Sequence, residues 1–152
     1  MDRARTALEQ MNVLSLENQV CFALAIASRS VNAVYRPLLE PLGLTHPQYL
    51  VLLALWDRSP QSVRELSQEL QLEPATLSPL LKRLEATGLV SRQRSTSDER
   101  VLDVSLTEAG KAFRTEAEAI PPQVLDRLGV PAEELEALRD SLWRVIEAAQ
   151  KS

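Results

Sequence analysis

The chain has 152 residues but only one cysteine, Cys21, one histidine, His46, and four glycines. A single cysteine excludes a disulfide within the chain. No glycine-rich loop is present to cradle a phosphate, and no His, Cys and carboxylate recur at metal-ligand spacing. A Cys21–His46 pair has no third member and no oxyanion loop beside it, so an enzyme is not expected, and neither is a cofactor or a metal. Apolar runs are too short to span a bilayer and no signal-peptide pattern opens the chain. The expectation is a cytoplasmic protein with no membrane partner. There is no internal repeat and no low-complexity segment.

Positive charge is also short. Lysine and arginine total 17 against 21 aspartates and glutamates, for a net charge of -4. That total is awkward for a protein that meets a polyanion, but the charge is uneven. Between Lys82 and Arg100 stand Lys82, Arg83, Arg92, Arg94 and Arg100 against only Glu85, Asp98 and Glu99. The acid gathers elsewhere, at Glu133, Glu134, Glu136, Asp140 and Glu147. Phosphate contact needs a local positive footprint, not a positive total.

That basic segment ends a stretch, Ser62 to Leu106, with a strong local pattern. Ser62 and Glu65 make an S-x-x-E capping box, so a helix should start at Val63, with Val63, Leu66 and Leu70 as its apolar stripe. Glu73-Pro74 reads as an N-cap followed by proline in the first helical position. A second helix follows, with Leu77, Leu80, Leu81 and Leu84 on one face and Thr76, Ser78, Lys82 and Arg83 on the other. Pro79 should bend it slightly, and Gly88 should end it. Residues 89–94 and 100–106 are strand-like around a polar tip, Ser95 to Glu99, too long for a two-residue turn and expected to be a mobile wing. Two short helices and a hairpin in this order predict a winged helix-turn-helix that reads a DNA major groove. A small helical subdomain with a solvated polar face is the plainer alternative.

Around this stretch the pattern is helical. Residues 1–12 read as an arm or an extra turn. A long helix should begin near Ser15 or Asn18; its apolar residues cover more than one stripe, which predicts burial on two sides and a partner subunit. Pro37 should disturb that helix, and Pro41 with Gly43 should end it. Thr45 and Gln48 make a second capping box, opening an apolar helix from Pro47 to about Asp57. Thr107 should cap a helix to about Ile120, with Pro121-Pro122 bending or interrupting it. A last amphipathic helix should run from Pro131 to about Ala149. The expected class is mainly α with a small β-hairpin (α+β). Residues 45–106 would form a winged helix-turn-helix DNA-binding lobe. Residues 14–43 and 107–150 would form a helical dimerisation lobe, all in one domain spanning 1–152.

The segment LSPLLKRLEATGLVSRQRSTSDERVLDVSLTEAG resembles the winged helix of the MarR family of bacterial repressors, most specifically in Asp98-Glu99-Arg100 followed by Ser105–Gly110. The resemblance implies a homodimer on a pseudo-palindromic double-stranded DNA operator. It implies a recognition helix over Pro74–Ala86 and an arginine, here Arg100, that enters the minor groove braced by Asp98. Pro74, Thr76, Ser78, Lys82, Arg83, Arg94, Asp98 and Arg100 are the candidate DNA-contacting set. Further motifs, LENQ-x-CF over Leu16–Phe22, Ser28-Arg29, YRPLL over Tyr35–Leu39 and PQYL over Pro47–Leu50, resemble one MarR subfamily, the organic hydroperoxide sensors (OhrR), of the one-cysteine type.

What that second resemblance implies is a redox switch. Cys21 matches the reactive thiol, and an organic hydroperoxide would be its effector. Tyr35 matches one of two tyrosine donors reaching the thiolate from the partner subunit; the other falls on Ala25, which donates nothing. Losing one of two donors costs a thiolate about 1.5–3 kcal/mol. His46 stands where this subfamily usually has tyrosine. With no resolving cysteine, a sulfenic acid on Cys21 would wait for a small cellular thiol. Two other readings remain open on the residues alone. Cys21 is core filler and the effector is a small aromatic or phenolic ligand between the lobes, or the winged helix contacts protein and not DNA.

Overall fold

The computed structural model describes Arg3, Leu14, Ser15 and residues 19–152. The expected N-terminal arm, and Leu16 and Asn18 at the expected start of the first helix, lie outside the described residues.

Helix α1, Val20–Leu39, contains Pro37 near its end. Proline removes one internal hydrogen bond, but here it does not end the helix. A 3-10 turn, Glu40–Leu42, follows, and Gly43 closes it in the left-handed region at φ 72°. The Leu44 N–H donates back to the Leu39 carbonyl at 3.2 Å, so Pro41 and Gly43 end the segment as expected. The expected two-sided burial of α1 is not met within one chain. Leu39 is its one buried residue, and Val20 is 63% and Ile26 39% exposed.

Helix α2, His46–Asp57, has both halves of its capping box. The Gln48 N–H donates to Thr45 Oγ1 (3.4 Å) and the Thr45 N–H to Gln48 Oε1 (3.0 Å). Tyr49, Val51, Leu52, Ala54 and Leu55 are all buried, which makes α2 the central post of the molecule.

A two-residue strand β1, Gln61–Ser62, leads into α3, Val63–Leu70. Only half of the expected capping box forms there. Ser62 Oγ accepts from the Glu65 N–H at 3.0 Å, but the Glu65 carboxylate turns away to Arg58 at 3.0 Å. Gln71 takes a left-handed turn at φ 53°, and α4, Pro74–Ala86, begins at the expected proline. Pro79 lies within α4 without breaking it. Leu66, Leu77, Leu81 and Leu84 are at most 1% exposed. Burial of each such leucine stabilises by about 1.5–3 kcal/mol, and this leucine seam fixes α4 against α2 and α3.

Strands β2, Val90–Arg94, and β3, Leu102–Leu106, pair antiparallel, with Val90 opposite Leu106 and Arg94 opposite Leu102. The sheet has a third strand that the sequence pattern does not announce. β1 pairs with the free edge of β3, Gln61 opposite Val104, so the order is β1-β3-β2. Gln61 is 1% exposed; its amide donates to the carbonyls of Ala54 (3.0 Å) and Arg58 (2.9 Å), which closes the end of α2. The tip of the wing has bonds of its own, Ser95 N–H to the Val101 carbonyl and Val101 N–H to that of Asp98.

Helix α5, Glu108–Ala117, starts at the expected Thr107 cap. It stops before the prolines. Helix α6, Ile120–Leu128, has Pro121 and Pro122 in its first turn, so of the two expectations, a bend or an interruption, the interruption is what forms, and the prolines open the new helix. Proline is suited to that position because first-turn N–H groups have no partner in the helix. Helix α6 packs against α1. Helix α7, Ala132–Gln150, has no buried residue, and Leu138, Trp143 and Val145 are 54%, 49% and 47% exposed. No helix among the described residues is long and apolar enough to cross a membrane.

Candidate nucleic-acid interface and thiol site

The leucine seam of α4 decides which residues face outward. With Leu77, Leu81 and Leu84 buried, Thr76, Ser78, Lys82 and Arg83 are exposed, and so is Pro74 at the first turn. Hydroxyls and cations along one face of a helix suit base edges and phosphate oxygens. Among the described residues neither Lys82 nor Arg83 forms an ion pair in the chain, so both remain available to a polyanion.

The wing carries a second cationic group. Arg100 is 91% exposed at its side chain, and among the described residues its anchor is Asp98. The Asp98 carboxylate accepts from the Arg100 backbone N–H (3.0 Å), Nε (3.2 Å) and Nη2 (3.4 Å). Those hydrogen bonds hold the Asp98 carboxyl below the usual carboxylate range. Arg94 Nη1 donates to the Glu99 carbonyl at 3.2 Å. The sequence-predicted wing residues therefore lie together at the tip.

Arg92 does not join them. Its guanidinium is paired with Glu85 in the last turn of α4, and its side chain is only 23% exposed. The positive surplus available to a partner is smaller than a count along the sequence suggests. Glu85 and Arg92 were legible only as an acid at a helix end and an arginine at a strand start, seven residues apart across a glycine turn.

Cys21 lies elsewhere, exposed on α1 near the start of the described helix. Tyr35 is on the same helix, and fourteen residues at ~1.5 Å each place it about 21 Å further along. One chain therefore does not bring Cys21 and Tyr35 together. Tyr35 instead packs edge-on against His46, ring centroids 4.8 Å apart, and against Tyr49 at 5.9 Å. His46 and Tyr49 are 6.3 Å apart, so the three rings form one cluster where α1 meets α2, with Tyr49 buried and Tyr35 and His46 partly exposed. Tyr49 is the member that entered the sequence reading only as part of the PQYL motif. Burial raises the pKa of Tyr35 and of Tyr49, the latter also through its neighbour Tyr35. Ala25 is exposed and contributes no polar group.

Burial lowers the His46 pKa below its ordinary 6.5, so the fold favours the neutral imidazole. Well above pH 6.5 both folded and unfolded forms are neutral and this group leaves stability unchanged. As pH falls below that value the unfolded chain binds the proton first, and stability is lost. His46→Phe is expected to flatten the stability profile below about pH 7. Urea midpoints with the same pH slope in both proteins would contradict this.

A cleft of about 480 Å³ opens between α2 and the α5–α6 turn, lined by Tyr49, Leu53, Trp56, Asp57, Arg114, Ala117, Glu118 and Pro121. No group of three or more His, Cys, Asp or Glu among the described residues could hold a metal ion.

Comparison with known proteins adds to this geometry. The MarR family model matches residues 44–102, from the turn before α2 to the start of β3. The organic hydroperoxide resistance transcriptional regulator of Bacillus subtilis (strain 168) is 41% identical over 134 residues, which are 88% of this chain and 91% of that protein. Among solved structures, reduced AbfR bound to DNA gives a TM-score of 0.73 at 32% identity, covering 98% of this chain and 99% of that one; AbfR comes from Staphylococcus epidermidis. CouR bound to a 23-mer DNA duplex gives a TM-score of 0.80 at 26% identity, covering 90% of this chain and 99% of that one; it comes from Rhodococcus jostii RHA1.

Proposed function

The chain belongs to the MarR family and is a DNA-binding transcriptional regulator, and we propose that it is a homodimeric repressor released from its operator when an organic hydroperoxide oxidises Cys21. The observation that carries this is the placement of the thiol. Cys21 is exposed on α1, and Val20 before it and Ile26 after it are also largely uncovered among the described residues. An exposed apolar stretch of helix with a thiol in it is where a second copy would seat. Similarity to the B. subtilis regulator over about nine-tenths of both chains supports the same reading. Solved structures of AbfR in reduced, overoxidised and disulfide-formed states support a redox input, though not the release step itself, since the overoxidised form is solved on DNA.

The chemistry is simple to balance. The Cys21 thiolate attacks one peroxide oxygen; an S–O bond forms and the O–O bond breaks. The sulfur loses two electrons, and the departing alkoxide takes a proton and leaves as the alcohol. A small cellular thiol then displaces water from the sulfenic acid and leaves a mixed disulfide. Either product is bulkier and more polar than the thiol. In a dimer seam it would push α1 against its partner and change the separation of the two α4 helices. Two half-sites one turn of DNA apart tolerate little change in that separation.

On this reading the Tyr35–His46 pair of one subunit faces Cys21 of the other. A phenol and a neutral imidazole would then stand where Ala25 leaves a donor missing. The winged helix residues Pro74, Thr76, Ser78, Lys82, Arg83, Arg94, Asp98 and Arg100 make the DNA contacts. α1 with α5–α7 forms the dimer seam, which gives the exposed Leu138, Trp143 and Val145 a partner.

The test is operator binding before and after cumene hydroperoxide, on native protein and on Cys21→Ser. Native protein is expected to release DNA and the serine variant to hold it. Release by both proteins alike would remove Cys21 from the mechanism. A second reading is favoured by the cleft beside Trp56 and Arg114, together with similarity to CouR, whose structure bound to p-coumaroyl-CoA has a TM-score of 0.74 at 27% identity. There a small aromatic ligand is the effector, and native protein would stay on DNA after peroxide.

A further inference from the structure

The two DNA-facing parts, α4 and the wing, are joined by only three residues, Thr87, Gly88 and Leu89. Gly88 is in the left-handed region at φ 81°, a hinge-like geometry in so short a link. Across this link one carboxylate takes two hydrogen bonds from one residue. Glu85 Oε2 accepts from the Arg92 backbone N–H at 3.0 Å, and Glu85 Oε1 from Arg92 Nη2 at 3.2 Å. β2 is an edge strand of the sheet, so a backbone N–H on its open side has no strand to meet. Glu85 supplies that missing acceptor. The Arg92 Nε is buried, with no partner among the described residues. An unsatisfied buried donor is costly, so it persists only where the surrounding contacts hold the side chain in place.

We propose that Glu85, through Arg92, is a positioning residue for DNA binding: it sets the angle between the recognition helix and the wing so that both engage one duplex together. The proposal rests on α4 and the wing being the DNA-contacting elements. The lever is long enough to matter. From Arg92 to the start of the tip is three residues, or ~10 Å. A tilt of ~10° at the root would move the tip by ~2 Å, enough to break a hydrogen bond.

The sign of the effect separates this role from a bland one. A surface acid that does nothing but repel phosphate should, when removed, raise affinity for every duplex. A positioning acid, when removed, should lower affinity for the operator alone.

The experiment uses the full chain and an operator recovered by selection from a random duplex pool, with an unrelated duplex of equal length as control. Glu85→Ala is expected to weaken operator binding about tenfold while control binding stays level or rises. In an Arg100→Ala background the same change is expected to cost less than about twofold, because the wing contact it positions is already gone. Thermal midpoints of the free proteins identify any variant that is simply misfolded, and Glu85→Gln then serves in its place: it keeps an acceptor for the Arg92 N–H but gives up the ion pair with the guanidinium, so a smaller loss, again confined to the operator, is expected. Operator and control affinity rising together would overturn the proposal, as would full additivity with Arg100→Ala. If Arg100→Ala leaves operator binding untouched, the wing itself is not used, and the broader assignment of the interface fails with it.

Discussion

Gly110→Ala is expected to destabilise the free protein by about 3–5 kcal/mol, among the largest effects a single methyl group can have. Gly110 is the third residue of α5, and a Cβ built there would stand 2.0 Å from the Leu89 carbonyl oxygen and 3.1 Å from its carbon. Both are backbone atoms, so no side-chain rotation relieves the overlap; the helix must slide. That slide would break two contacts made by Gly110 itself. Its N–H donates to Thr107 Oγ1 at 3.0 Å, and its carbonyl accepts from Trp56 Nε1 at 2.9 Å. It would also pull on the carbonyl of Leu89, which accepts from the Thr107 N–H at 3.1 Å. Urea unfolding at matched protein concentration checks this. A loss under about 0.5 kcal/mol would mean that α5 moves off the start of the wing freely, contrary to the close approach seen here.

Arg100→Ala is expected to weaken operator binding by about 10- to 100-fold and to lower the salt dependence by about two charges per dimer. Arg100 projects from the wing almost wholly in solvent, and Asp98 is what gives it a direction. Fixing an arginine rotamer before binding spares roughly 2 kcal/mol of side-chain entropy at the moment of contact. Asp98→Ala should therefore weaken binding as well, although it deletes a negative charge from a surface that meets phosphate. Hydrogen bonds from Arg100 hold the Asp98 carboxyl below the usual carboxylate range. Lys82→Ala should cost less and about equally on all sequences, as a phosphate contact does. Anisotropy titrations at several salt concentrations measure both quantities. Unchanged affinity and unchanged slope in Arg100→Ala would favour a winged helix that contacts protein.

The thiol and the reading elements are far apart in sequence, and the structure relates them through packing. α1, which carries Cys21, meets α2 at the Tyr35–His46–Tyr49 cluster, and α2 is the post against which the leucine face of α4 is buried. A shift of α1 in a dimer seam would pass through α2 to α4 without any loop having to unfold. Dense packing makes such a path stiff, and stiffness is what lets a small chemical change at one end alter a spacing at the other.

Much of this protein is decided within a few residues of chain. The Thr45–Gln48 capping box, the Glu73-Pro74 start of α4, the Thr107 cap and the leucine repeat of α4 are local. Each depends on neighbours three or four positions away, so each is visible in the one-dimensional pattern. The wing's Asp98–Arg100 pair is two residues apart and is legible for the same reason. What only the tertiary structure decided are contacts between distant parts. The two-residue strand β1 exists because β3 offers it an edge; alone it has no strand signal. Arg92 counts as a free cation until the turn at Gly88 brings it onto Glu85. His46 and Tyr35 become neighbours because the 3-10 turn and Gly43 fold α2 back against α1. Glu65 leaves its capping role because Arg58 arrives from the preceding loop. Local hydrogen bonds and periodicity made the elements, and the burial of leucine faces then chose which side chains would meet.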